Sequence, residues 1–151
     1  MILIERIVKP KTTSEVLDRH LKSFAERDVD GIVSDYSSDA VLFMPGGQLK
    51  GPDAIKPLFE ALVSEFAKPG SSFTMQLRSI EGEHAYILWS AETADNWYEF
   101  ATDTFVVRKG KIVAQSFAAK IKAKPQTRAS GDTQKCDPVT ARIICESMEI
   151  L

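Results

Sequence analysis

Asp103 and His20 have the chemistry of an acid and a base. Asp103 lies in a stretch near residues 97–108 that predicts a β-strand. Strand parity places Trp97, Glu99, Asp103 and Phe105 on one face, and Phe105 indicates that this face is the interior. A carboxyl group among apolar neighbours has a raised pKa or a cationic partner. Asp103 is therefore a candidate acid, and a structural carboxylate bonded to the backbone or to His20 is the alternative.

His20 is the candidate base. It lies on the apolar stripe of a predicted helix, level with Leu17, Leu21 and Phe24. A histidine in such a place is often only a core residue whose hydrogen bonds are satisfied. An imidazole paired with a buried carboxylate is also a common acid–base unit. If the pair is catalytic, His20 takes the proton, and Asp103 orients it or, when protonated, donates to a substrate carbonyl.

Three predicted helices must position these groups. Thr12, with Glu15 three residues later, is a capping-box pattern that begins the first helix. Apolar residues recur at helical spacing over 29–36, which predicts a second helix that includes Tyr36. A third helix carries an apolar stripe over 55–66, and Pro57 predicts an irregular first turn.

A short strand and a series of long strands complete the pattern. The short strand stops at Pro45-Gly46-Gly47, which the sequence predicts as a turn into helix three. From residue 72 the period becomes that of strands, with a tight turn at Lys109-Gly110. Helices followed by a meander of strands predict an α+β domain over 13–121. Residues 1–12 are an extension, and 122–151 are a tail with a possible short helix.

Composition excludes several classes of function. A net charge of -2 offers no basic footprint for nucleic acid, and no apolar stretch approaches the roughly 20 residues that cross a membrane. No Gly-rich phosphate loop and no metal-ligand spacing occur, so no metal or cofactor is expected. The N-terminus lacks the features of a signal peptide, and Cys136 and Cys145 are expected to be reduced thiols, which predicts a cytoplasmic protein.

Three stretches resemble the nuclear transport factor 2-like superfamily, in particular its ketosteroid isomerase and SnoaL-like branch. They are HLKSFAERDVDGIVSDYSSDAVLFMPGG, GPDAIKPLFEAL and TDTFVVRKGKIV. The resemblance implies a cone-shaped roll, in which a curved and mostly antiparallel sheet wraps around the helices and an apolar pocket opens between them. It also implies a homodimer.

The resemblance also implies roles for individual residues. The acidic aspartate of the isomerases falls on Asp103, and their tyrosine falls on His20. Their catalytic base falls on Met44, whose thioether cannot take a proton at neutral pH. The isomerase mechanism is therefore not expected in its usual form. The superfamily's epoxide hydrolases carry an Arg-x-Asp on a strand, and this sequence contains none.

Two functions follow as hypotheses. The first is a cofactor-free isomerase, cyclase or lyase that uses His20 and Asp103 on a small apolar carbonyl compound. The second is a non-catalytic ligand-binding or dimerisation module that has lost the base at Met44. The residues predicted to line the pocket are Tyr36, Met44, Phe59, Trp89, Trp97, Glu99, Phe105 and Gln115. The aromatic members of this set pack in cores or interfaces more often than they bind ligands.

Overall fold

A computed structural model describes residues 9–125. Its helices are α1 (Thr13–Ala25), α2 (Val29–Ser34) and α3 (Pro52–Phe66). Its strands are β1 (Tyr36–Met44), β2 (Gly47–Lys50), β3 (Ser72–Glu81), β4 (His84–Glu92), β5 (Asn96–Arg108) and β6 (Lys111–Ala123). The predicted α+β class is confirmed. Among these residues no helix is both long enough and apolar enough to span a membrane.

The six strands form one curved, open sheet in the order β2-β1-β6-β5-β4-β3. Strand β1 pairs with β6 in parallel, and every other neighbouring pair is antiparallel. The three helices pack against one face of this sheet, as predicted. The most deeply buried side chains between helices and sheet are Val16, Ile32, Leu42, Ile55 and Ile112.

The capping box at the start of α1 is confirmed. The Thr12 side chain accepts a hydrogen bond from the Glu15 backbone N–H at 3.2 Å, and the Glu15 carboxylate accepts one from the Thr12 N–H at 2.8 Å. Two of the helix's unpaired N–H donors are thus satisfied. The cap fixes where the helix begins, and the apolar stripe of the helix places His20 in the core.

The second helix is shorter than predicted. It ends at Ser34, and Tyr36 is the first residue of β1. The Asp35 carbonyl accepts a hydrogen bond from the Ile112 N–H of β6 at 2.8 Å, so the backbone is already bonded to the sheet at Asp35. Tyr36 therefore matches the helical spacing only by coincidence. It is the first residue of β1, and its side chain is buried.

The predicted turn from β1 directly into helix three is wrong. Pro45-Gly46 instead connects β1 to the short strand β2 in a hairpin, in which Met44 pairs with Gly47. The chain enters α3 at Gly51, whose φ of 82° is a left-handed conformation that favours glycine. Helix α3 is continuous through Pro57. The carbonyl that loses its partner there belongs to Asp53, which is exposed and open to water.

A bulge in β5 overturns the predicted parity of that strand. Tyr98 pairs with Ile121 and Phe100 with Lys120, so Glu99 is an extra residue between them. Asp103 and Phe105 face the interior as predicted, but Trp97 and Glu99 lie on the outer face of the sheet. Cys136, Cys145 and the predicted C-terminal helix lie outside the described residues.

Candidate functional site

A cavity of about 80 Å³ lies between the helices and the concave face of the sheet. His20, Asp103 and Gln115 supply its polar atoms. The helices contribute the apolar side chains Leu21, Phe24, Leu58, Phe59, Leu62 and Phe66. The sheet contributes Leu42, Phe73, Ile87, Trp89, Phe105 and Phe117. The candidate acid and the candidate base therefore share one apolar space.

The imidazole of His20 is held in a fixed orientation. The residue is 4% exposed, and its Nδ1 lies 3.2 Å from Oδ2 of Asp35. Tyr36, Phe59 and Phe105 surround the ring edge-on, with centroid distances of 5.5, 5.7 and 5.6 Å. Within residues 9–125 the other ring nitrogen, Nε2, has no hydrogen-bond partner, and it is the nitrogen available to a molecule in the cavity.

Asp35 is the functional candidate that sequence reasoning missed. Its side chain is fully buried, and its Oδ1 also accepts hydrogen bonds from the guanidinium of Arg19. Arginine stays charged in proteins, so Arg19 and Asp35 form an ion pair. A carboxylate accepts the Nδ1–H of His20, which leaves Nε2 as a bare lone pair. No local sequence pattern marks this contact, because Asp35 lies at the junction of a helix and a strand.

Asp103 is the second polar group of the cavity. Its Oδ1 accepts a hydrogen bond from Nε2 of Gln115 and its Oδ2 accepts one from Nε1 of Trp89, each at 2.8 Å. Burial raises the pKa of Asp103, while the two hydrogen bonds, and His20 when its ring is protonated, act in the opposite direction. The expected direct bond between Asp103 and His20 is not found, since Asp35 takes that place.

Tyr36 completes the network around Asp103. Its hydroxyl donates to Oε1 of Gln115, which fixes the Gln115 amide so that its N–H group points at Asp103. Burial raises the pKa of Tyr36 well above its ordinary value, and the charges of Asp103 and Asp35 raise it further. Tyr36 therefore remains a phenol and a donor. It contacts the site through its hydrogen bond to Gln115 and through the edge-on packing of its ring with His20.

A sequence profile described as a SnoaL-like domain matches residues 17–115, which is more than half of the chain and contains every cavity residue except Phe117. The chain belongs to the SnoaL-like domain family. The resemblance stated from the sequence is thereby confirmed. A comparison with curated proteins finds no match.

Solved structures share the fold of this SnoaL-like domain. SalBIII, an epoxide hydrolase/cyclase-like enzyme of pyran ring formation in salinomycin, is 19% identical with a TM-score of 0.63; the match covers 74% of this chain and 95% of SalBIII. A candidate ketosteroid isomerase from Kribbella flavida is 11% identical with a TM-score of 0.60, covering 85% and 93%. TerC, co-crystallised with polyporic acid, is 16% identical with a TM-score of 0.58, covering 72% and 91%.

The remaining predicted pocket residues divide into two groups. Phe59, Trp89, Phe105 and Gln115 line the cavity of the SnoaL-like domain. Met44 is half-buried at the end of β1, packs against the core and is not part of the cavity wall. The position that the resemblance assigns to a catalytic base therefore contributes no atom to this cavity.

Trp97 and Glu99 lie on the outer face of the sheet. Trp97 is covered by the ammonium groups of Lys122 and Lys124, at 5.8 and 5.2 Å from its ring centroid. Glu99 forms an ion pair with Lys120 at 2.8 Å, and the hydrogen bond and charge of that lysine lower the Glu99 pKa. The bulge in β5 puts both residues across the sheet from Asp103, so Glu99 is not a spare acid for the cavity.

We expect the neutral His20 ring to carry its proton on Nδ1. Long-range ¹H–¹⁵N correlation spectra distinguish the two tautomers by the ¹⁵N shifts of the ring. The chain has two histidines, and the exposed His84 serves as an internal reference for a ring in solvent. A His20 ring protonated on Nε2 at a pH where it is neutral would contradict the assigned role of Asp35.

We expect Asp103 to make the SnoaL-like domain less stable as pH rises. Its folded pKa is raised above the ordinary value of 3.8, so above that pH the folded state binds more protons than the unfolded chain. The free energy of unfolding of wild type should therefore fall relative to Asp103→Asn, with a slope of at most about 1.4 kcal/mol per pH unit.

Urea unfolding of both proteins across the acidic pH range measures this difference. Asp39→Asn, at an exposed position, is the matched control for the loss of a carboxyl group. A constant difference between wild type and Asp103→Asn would mean that burial does not raise the pKa of Asp103.

Proposed function

We propose that this SnoaL-like domain binds a small, uncharged carbonyl compound and moves a proton at the carbon beside the carbonyl. The observation that carries the proposal is the shared cavity, in which Nε2 of His20 and the carboxyl group of Asp103 face the same apolar space. His20 is the base. Asp103, which burial favours in its neutral form, is the hydrogen-bond donor to the carbonyl oxygen.

The reaction begins with transfer of the Cα proton to Nε2 of His20. The electron pair of the broken C–H bond moves toward the carbonyl oxygen, which becomes enolate-like and receives a hydrogen bond from protonated Asp103. Each Asp103 oxygen accepts only one bond from the protein, so a position remains for the acid proton. His20, positively charged after the transfer, is stabilised by the Asp35 carboxylate.

The fate of the enolate determines the type of reaction. Return of the proton to another carbon is isomerisation, loss of a leaving group is elimination, and attack on a second electrophilic carbon is ring closure. The descriptions of SalBIII and of the Kribbella flavida protein name ring formation and ketosteroid isomerisation. Those names support this class of chemistry for the chain.

Hydrogen–deuterium exchange tests the first step without knowledge of the product. Cyclopentanone in D₂O exchanges its Cα protons slowly, and ¹H NMR follows the loss of their signal. We expect the wild-type protein to accelerate this exchange over buffer, because His20 supplies the base and Asp103 the donor. Exchange at the buffer rate, with cyclopentanone bound in the cavity, would rule out the catalytic proposal.

A non-catalytic binding domain is the second candidate function. Met44 favours this candidate. It stands at the position that holds the base in the isomerases, but it is neither an acid nor a base and does not line the cavity. The same exchange measurement separates the two candidates, since this domain would bind ketones without exchanging them. Exposed Leu77 and Phe100 support proposing a homodimer. The homodimer and the cytoplasmic location stay predictions.

A further inference from the structure

The size of the cavity limits what it can hold. Its volume of about 80 Å³ is well below the ~300 Å³ at the lower end of ordinary ligand sites. An engineered apolar cavity of ~150 Å³ takes a benzene molecule, so this one holds a short chain or a small ring. A fused multi-ring compound requires part of the wall to move.

Phe73 is the wall residue that can move at the smallest cost. It lies on β3, an edge strand that pairs only with β4, and its ring packs against Trp89 with a centroid distance of 5.3 Å. It is 46% exposed, whereas Phe59 and Phe105 of the same wall are 6% and 2% exposed. Outward rotation of Phe73 would enlarge the cavity, but it would remove the ring from the buried Trp89, so the Phe73 ring limits the size of the cavity.

The polar atoms of the wall restrict the chemistry of the ligand. His20, Asp103 and Gln115 provide the polar atoms, and the other wall residues are apolar. No lysine or arginine lines the cavity to pair with an anion. A ligand therefore carries its polar atom at one end and presents apolar surface elsewhere.

We propose that the cavity takes an uncharged carbonyl compound no larger than one small ring, and that Phe73 sets this size limit. The role of the carbonyl rests on the proposed function, whereas the size limit rests on the volume of the cavity and the position of Phe73.

Binding is measured through the indole N–H signals in ¹H–¹⁵N spectra of the full chain. The chain has two tryptophans: Trp89 lies in the cavity wall, and Trp97, on the outer face, is the internal control. We expect cyclopentanone to shift the Trp89 signal with a millimolar dissociation constant and to leave Trp97 unchanged. Androstenedione, a four-ring ketone, should shift neither signal.

Phe73→Ala tests the size limit with tetralone, a ketone of two fused rings. We expect the variant to bind tetralone about tenfold tighter than wild type, because the lost ring leaves room for the second ring of the ligand. Leu77→Ala is the matched control, since Leu77 lies on the same strand, is 48% exposed and is absent from the cavity wall. Phe73→Leu, a smaller change, should give an intermediate affinity.

The outcomes separate this inference from the proposed function. If androstenedione shifts the Trp89 signal in wild type, the size limit is wrong, and catalysis is still judged by exchange. If Leu77→Ala admits tetralone as well as Phe73→Ala does, Phe73 does not set the limit. If cyclopentanone shifts Trp89 without exchange, the size inference stands and the catalytic proposal fails. If no ketone shifts Trp89, the inference is overturned.

Discussion

His20→Gln is expected to lower the rate of deuterium exchange at Cα of cyclopentanone by about 10²- to 10⁴-fold, the usual contribution of a positioned general base. The glutamine amide keeps a polar group that can still donate to Asp35, but its nitrogen has no lone pair able to take a proton. The loss therefore falls on proton transfer rather than on the packing of the helix. Exchange rates at equal protein concentration measure it.

His84→Gln is the matched control for this variant. His84 is the only other histidine in the chain, is exposed, and begins β4 outside the cavity. Its replacement should leave the rate unchanged, and the thermal unfolding temperature of His20→Gln checks that the variant is folded. If His20→Gln exchanges cyclopentanone as fast as wild type, His20 is not the base.

The arrangement around His20 supports the proposed role of this residue without a contribution from Met44. In the proposed reaction the base comes from α1, and its orientation comes from the Asp35 carboxylate, which pairs with Arg19. The proposed acid comes from β5, on the opposite wall. In this proposal the two groups reach the ligand from a helix and from the sheet, and the end of β1 takes no part.

Local patterns in the sequence predicted the helix and strands that position this site. The Thr12 capping box set the beginning of α1, and the apolar stripe placed His20 on its buried face; both are confirmed. The alternation of side chains along the strands predicted that Asp103 and Gln115 face the interior, and both are buried. These features depend on neighbours within a few residues, which is the range over which a single sequence carries information.

Features set by contacts across the fold could not be predicted in this way. The bulge at Glu99 adds one residue to β5, so the β5 residues before it face the opposite side of the sheet from the one that strand alternation predicts. No residue type in this stretch indicates that a bulge is present. Asp35 meets His20 only because α2 is short and returns the chain to the sheet beside α1. The volume of the cavity depends on how aromatic rings from two helices, α1 and α3, and four strands, β3 to β6, pack together, and no sequence periodicity predicts that packing.

A third buried carboxylate, Glu65 of α3, stabilises the wall behind the cavity. Its Oε1 accepts hydrogen bonds from Thr93 Oγ1 and Asn96 Nδ2, both at 2.7 Å, and its Oε2 accepts one from the Tyr98 hydroxyl at 3.0 Å. These donors belong to the beginning of β5 and to the turn that precedes it. Tyr98 in turn packs against Trp89, the residue that donates to Asp103.

Glu65→Leu is therefore expected to lower the free energy of unfolding by at least about 3 kcal/mol, because three buried donors lose their acceptor at about 1 to 3 kcal/mol each. Urea unfolding measures the change as a lower midpoint with an unchanged m-value. Glu65→Gln keeps an oxygen for Thr93 and Asn96, and its amide can donate to the Tyr98 oxygen, so its cost should be smaller.

Glu60→Leu is the control on the same helix. Glu60 is exposed, so its replacement should change the free energy of unfolding by no more than about 0.5 kcal/mol. Equal losses for Glu65→Leu and Glu60→Leu would show that the hydrogen bonds of Glu65 contribute nothing to stability. A large loss for Glu65→Leu alone, together with a shifted Trp89 indole signal in Glu65→Gln, would show that the network also holds the wall in which Asp103 lies.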